Sequence, residues 1–155
     1  MAEEIIEQGY RELADTILEH NPGVDLGRVR AAFELADRAH SGQKRKAGTP
    51  YVTHCVAAAQ ICAEMGLDED SIVAALLHDC IEDTAITHED IARQFGAEVA
   101  DIVEGVTKLT RVQFTSREDE QMENLRKMLM AMAKDIRVIL IKIADRLHNM
   151  RTMEY

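Results

Sequence analysis

The sequence contains no tryptophan, and phenylalanine and tyrosine bring its aromatic content to only 4%. Its core is therefore aliphatic, drawn from Leu, Ile, Val, Ala and eight Met. Proline occurs twice and glycine eight times. Most of these fall where helices should stop, which favours an all-α protein over a sheet with frequent turns. Cysteine is scarce. Cys55, Cys62 and Cys80 are odd in number, lie in apolar contexts and show no C-x-x-C spacing. That argues against a disulfide scaffold or a zinc knuckle and fits reduced, buried thiols in the cytoplasm. No apolar run approaches the roughly 18 residues of a membrane span, and no stretch reads as a signal peptide, so a soluble chain is expected. Basic charge is also short. Lys and Arg number 18 against 28 Asp and Glu, a formal charge of −10. That field argues against non-specific nucleic-acid binding, and an anionic substrate would need local basic groups or a cation. The chain has no internal repeat or low-complexity segment, and 155 residues suit one domain.

The chain is organised around Ser71 to Thr84. Ile72, Val73, Leu76 and Leu77 flank Ala74 and Ala75, so this helix is apolar nearly all round and central. Four polar groups follow within six residues: His78, Asp79, Glu82 and Asp83. On a continuous helix His78 would share a face with Glu82, and Asp79 with Asp83. Three carboxylates and an imidazole at the end of an apolar helix are costly to bury without compensating charge. They are either a solvent-facing acidic helix end or the ligands of a metal ion.

Before this stretch, residues 2–19 read as an amphipathic helix that docks on the outside of the core and stops at Asn21-Pro22-Gly23. Asp25 is placed to cap a second helix that ends at Ser41-Gly42. The run from Gln43 to Tyr51 is not helical in pattern, and Gly48 and Pro50 make it a loop with room for a short hairpin. It carries Lys44, Arg45 and Lys46, which are either a solvated basic loop or an anion site in which Arg stacks on a base. A third helix spans about Val52 to Met65, closed by Gly66, with His54 in its first turn. His54 alone reads as a cap, a core residue or a ligand.

After it, Asp68 or Asp70 is expected to cap the central helix, and Thr87 a further one ending at Phe95-Gly96. A sixth helix is expected over Ala97 to Val106. Residues 107–117 are weakly patterned and polar and read as a mobile loop. A helix from Ser116 to Ala133 would bury Met122, Leu125, Met128, Leu129 and Met132. The last helix, Asp135 to Met153, has two stripes. One is Ile136, Leu140, Ile143, Leu147 and Met150; the other is Val138, Ile141 and Asp145. Asp145 continues an apolar stripe and therefore needs a partner. His148, Asn149 and Thr152 follow it on the same side. The chain stops at Tyr155 in mid-helix, as a fragment cut from a longer protein would.

His54, His78, Asp79 and Asp145 together form a mixed nitrogen and oxygen set from three separate helices. Such a set suits a first-row divalent ion with open positions, Mn²⁺, Fe²⁺ or Zn²⁺, and metal-assisted phosphoester hydrolysis.

The order H…HD…D resembles the HD-domain metal-dependent phosphohydrolases. Three runs carry a closer likeness: His40-Ser-Gly-Gln-Lys-Arg-Lys-Ala-Gly-Thr-Pro-Tyr51-Val-Thr-His54, Ala74-Ala-Leu-Leu-His-Asp-Cys-Ile-Glu-Asp-Thr84, and Ile143-Ala-Asp-Arg-Leu-His-Asn-Met-Arg-Thr152. They resemble the hydrolase domain of the RelA/SpoT-type guanosine tetra- and pentaphosphate proteins, over residues 25–155, with residues 1–24 as a docking helix and turn. The resemblance implies a compact multi-helix fold with at most a short β-hairpin near residues 43–52. It also implies one Mn²⁺, with Fe²⁺ or Zn²⁺ less favoured. The implied reaction removes pyrophosphate from the 3′ position of (p)ppGpp, giving GDP or GTP. By motif, His54, His78, Asp79 and Asp145 would be metal ligands. Glu82 and Asp83 would be the catalytic pair that orients or deprotonates water. Arg45 would stack on guanine beside Lys44 and Lys46, and Asn149 and Thr152 would line the nucleoside pocket. Two positions depart from the family: Ala47 stands where Ser is usual, and Cys55 follows His54 where Pro is common. In longer members a synthetase domain and regulatory domains follow. The alternatives are a metal-binding module that senses nucleotide without turnover, and a hydrolase of another nucleotide phosphate.

Overall fold

The computed structural model describes residues 2–43, 48, 50–110, 122, 123, 126 and 136–151, with backbone alone at 2, 3, 82, 83, 109 and 110. The described helices are α1 (Ala2–His20), α2 (Leu26–Ala39), α3 (Val52–Glu64), α4 (Glu69–Leu77), α5 (Cys80–Asp83), α6 (His88–Phe95), α7 (Ala97–Thr110) and α8 (Ile136–Arg151). No strand occurs among the described residues. The backbone N–H of Tyr51 donates to the Gln43 carbonyl at 2.9 Å, which closes the loop between α2 and α3. Lys44 to Ala47 and Thr49, where the hairpin is expected, lie outside the described residues.

Local chemistry sets most helix ends. Asp25 caps α2 by accepting from Gly27 N at 2.9 Å and Arg28 N at 3.3 Å. Asp68 caps α4 by accepting from Ser71 N at 3.1 Å. Thr87 and Asp90 form a reciprocal capping box at the start of α6. α3 ends in a left-handed Gly66 (φ 75°), whose N–H donates to Ala63, while Leu67 N–H donates back to Cys62.

α4 is the central helix. Every residue from Ser71 to Leu77 is buried. It packs between α2, α3 and α7, and α3 in turn carries α1 on one side and α8 on another. Leu13 and Ile17 of α1 are fully buried and belong to the same hydrophobic core. Arg28 ties α2 to the start of α4 through Glu69 at 2.7 Å and Asp70 at 2.6 Å. Its Nη2 also donates to the Phe95 carbonyl at the end of α6, at 2.5 Å. Cys55, Cys62 and Cys80 are all buried, and burial pushes the Cys62 thiol up to about 12.

The structure departs from the sequence pattern in four places. The central helix is not continuous through Thr84. It ends at Leu77, His78 and Asp79 form a turn, and α5 restarts at Cys80, so the shared faces expected for His78 with Glu82 and Asp79 with Asp83 do not apply. α7 runs on to Thr110, because Thr107 is buried and satisfies its hydroxyl on the Val103 carbonyl at 3.0 Å. Residues 107–110 are thus helix rather than loop, and 111–117 lie outside the described residues. Met122, expected to be buried, is 66% exposed. Of the two stripes on α8, only Val138, Ile141 and Asp145 face the core. Ile136 and Met150 on the other are 58% and 64% exposed.

Candidate metal centre

Three elements converge on one point: the first turn of α3, the turn between α4 and α5, and the middle of α8. They bring His54, His78, Asp79 and Asp145 together, each with a ligand atom within 4.8 Å of the others. His54 Nε2 lies 2.6 Å from Asp145 Oδ1 and 3.8 Å from Asp79 Oδ2. His78 Nε2 lies 3.1 Å from Asp79 Oδ2 and 3.2 Å from Asp145 Oδ1. Both imidazoles and Asp145 are buried; Asp79 is half-buried. The turn at His78–Asp79 matters here. Adjacent residues on a continuous helix point about 100° apart, and the break lets both side chains address one site.

The electrostatics are those of a tight cluster. Burial by itself would lower the pKa of His78. The charge of Asp79, the hydrogen bond to Asp145 and the remaining attraction outweigh burial and push it up to about 10. Burial would raise Asp79, but the adjacent His78 and the Tyr51 hydroxyl bring it down to about 2. Asp145 is likewise raised by burial. Its contacts with His54 and His78 and the charges of His78 and Lys142 hold it far below the usual carboxylate range.

The donor set fits a divalent ion on more than composition. His78 Nδ1–H donates to the Ala75 carbonyl at 2.6 Å, which aims Nε2 into the cluster and fixes its tautomer. Tyr51 Oη donates to Asp79 Oδ2 at 2.8 Å, and Lys142 Nζ to Asp145 Oδ2 at 3.0 Å, leaving Asp145 Oδ1 toward the two imidazoles. With the imidazoles deprotonated, as ligation requires, two nitrogens and two ionised carboxylates carry a net charge that a dication would cancel. By contrast, His88, Asp101 and Glu104 on α6 and α7 cluster at the surface, where Glu104 is also paired with Lys108 at 3.5 Å.

A family model described as the HD domain matches residues 32–155. The chain belongs to the HD-domain family. The bifunctional (p)ppGpp synthase/hydrolase SpoT of Escherichia coli K12 is 51% identical over 144 residues, covering 93% of this chain and 20% of that protein. A guanosine-3′,5′-bis(diphosphate) 3′-pyrophosphohydrolase of Haemophilus influenzae is 56% identical over 119 residues, covering 77% of this chain and 18% of its own. A GTP pyrophosphokinase of Myxococcus xanthus is 49% identical over 143 residues, covering 90% and 19%. The chain thus spans about a fifth of the length of the curated relatives it matches. A solved structure, described as a metazoan ortholog of SpoT that hydrolyzes ppGpp, aligns with a TM-score of 0.65 at 33% identity, covering 82% of this chain and 70% of that one.

The remaining sequence candidates fall into two groups. Glu82 and Asp83 have backbones in α5, three and four residues past Asp79. Asn149 is half-buried on α8, one turn beyond Asp145. Lys44, Arg45, Lys46 and Thr152, with the departure at Ala47, lie outside the described residues. Cys55, the other departure, is buried in α3 and does not interrupt the helix. Tyr51, Lys142 and His40 carry no distinct functional signal in the sequence pattern alone. His40 is buried with its ring 4.7 Å from that of Tyr51, behind the Asp79 contact. A Tyr three residues before His54 and a Lys three before Asp145 were the available signals.

Proposed function

We propose that this chain is the metal-dependent module that hydrolyses (p)ppGpp at its 3′ position. It releases pyrophosphate and GDP or GTP, within a longer bifunctional cytoplasmic protein that also carries synthetase and regulatory domains. The observation that carries the reading is the buried convergence of His54, His78, Asp79 and Asp145 in an HD-domain chain whose relatives are named for this substrate. These four residues would hold one divalent ion, Mn²⁺ by preference. Such an ion supplies Lewis acidity toward a phosphoryl oxygen and lowers the pKa of water. Water adds across the bond between the ribose 3′ oxygen and phosphorus. The oxygen of water stays on the departing pyrophosphate, and a proton passes to the 3′ oxygen. Glu82 and Asp83, just past the His78–Asp79 turn, orient that water and take its proton. Arg45 stacks on guanine, and Lys44 and Lys46 offset substrate charge where the overall charge of −10 opposes it. Asn149 and Thr152 line the nucleoside pocket.

The test is single-turnover pyrophosphate release from ppGpp with and without Mn²⁺. Release that requires the ion supports the reading. Glu82→Gln should then slow turnover by about 10²–10⁴-fold while metal affinity is unchanged. Arg45→Ala should slow a guanosine substrate more than its adenosine analogue. Metal and nucleotide bound with no pyrophosphate released would favour a sensing module instead.

A further inference from the structure

We propose that His148 is the positioning residue for His54: by accepting a hydrogen bond at Nδ1, it fixes the tautomer that leaves His54 Nε2 bare toward the metal centre. The inference rests on the ligand set given above. It starts from a contact between two imidazoles on different helices. His54 Nδ1 and His148 Nδ1 are 2.7 Å apart, with ring centroids at 5.0 Å and planes inclined by 29°. Two nitrogens at that distance share a single proton, so one donates and the other accepts.

Which one donates follows from the other face of the ring. His54 Nε2 is the nitrogen inside the cluster, 2.6 Å from Asp145 Oδ1. Without an ion, that distance is a hydrogen bond filled by a proton on Nε2; a ligating Nε2 must present a lone pair instead, so with an ion held His54 carries its proton on Nδ1. His148 Nδ1 is then the acceptor and its own proton sits on Nε2. This mirrors His78, whose Nδ1–H is held by the Ala75 carbonyl. His78 receives its support from its own helix, one turn back. His54 receives it from α8, 94 residues away in the chain. His148 lies three residues after Asp145, so a single turn of α8 supplies both a ligand and the orientation of another helix's ligand.

Three substitutions separate this role from bulk packing. Asn places its side-chain oxygen near the position of the imidazole Nδ1. Gln places it near Nε2, and Leu has no acceptor. The measurement is Mn²⁺ and Zn²⁺ affinity by calorimetry on the metal-stripped protein, with helicity followed by circular dichroism. His148→Leu and His148→Gln should weaken binding by about 10–100-fold, and His148→Asn should stay within a few-fold of wild type. If His148→Leu does not fold, the Asn and Gln pair still decides. Wild-type affinity in the Leu or Gln variant, or an Asn variant no better than Gln, overturns the inference alone. A wild-type protein that binds no metal overturns the ligand set itself, and this inference with it.

Discussion

At the scale of single residues, the centre is a proton trap that a cation would empty. Without metal, His78 holds a proton across the neutral range because Asp79 and Asp145 press against it, and its pKa stands at about 10. Metal binding must displace that proton, since the ligand is neutral imidazole. Asp79, at about 2, has none to give. Affinity for Mn²⁺ should therefore rise about tenfold per pH unit from pH 6 to 9, with one proton released per ion. Calorimetry in buffers of different ionisation enthalpy measures this directly; no proton release would contradict the assignment of His78. The same shift has a stability consequence. A raised His78 pKa stabilises the folded state below its unfolded value near 6.5, and that contribution is lost as pH climbs through about 10. Metal-stripped protein should thus lose thermal stability between pH 7 and 10, and metal-loaded protein should lose less. His54, His78, Asp79 and Asp145 were legible in the sequence because each interrupts an apolar pattern or sits in a recognisable run. Tyr51 and Lys142 were not, because Tyr and Lys at helix starts and faces are ordinary, and their meaning lies in the partner they touch.

At the scale of elements, the break between α4 and α5 and the seating of α8 decide whether His54, His78, Asp79 and Asp145 meet. α8 is held against α7 partly through Gly105. A methyl group added there would lie 2.7 Å from Val138 Cγ2, and Val138 is buried and β-branched, with little freedom to turn away. Gly105→Ala should cost about 1–3 kcal/mol by overpacking, despite the better helix propensity of Ala. In a Val138→Ala background the clash is gone and the same change should be stabilising by up to about 1 kcal/mol. Urea denaturation of the four proteins of this cycle tests it; additivity would show that the two helices are not in register as described. Because Val138 shares its stripe with Asp145, the single variant should also weaken metal binding. The helix stripes of α8 were both visible in the sequence. Which one turned inward was not, since each is apolar enough to form a core face.

At the scale of the whole molecule, the centre joins α3, the α4–α5 turn and α8, so occupancy should be felt as global stability. A ligand at a hundred times its Kd that binds only the folded state adds about 2.7 kcal/mol. For a chain of this size that corresponds to about 5–10 °C in Tm, a gain that chelation should reverse and that Asp145→Asn should abolish. An unchanged Tm in the presence of Mn²⁺ would mean that the four side chains do not act as one site. The all-α class, the helix starts at Asp25 and Thr87, the stop at Gly66 and the runs bearing His54, His78, Asp79 and Asp145 were determined by the sequence itself. They depend on contacts between residues a few positions apart, which a short window already contains. The break at His78–Asp79, the exposed side of α8, the extension of α7 through Thr107 and the pairing of His54 with His148 were decided only by the tertiary structure. They depend on burial and, at the metal centre, on groups far apart in the chain; local preference alone does not select among the arrangements that the sequence pattern allows.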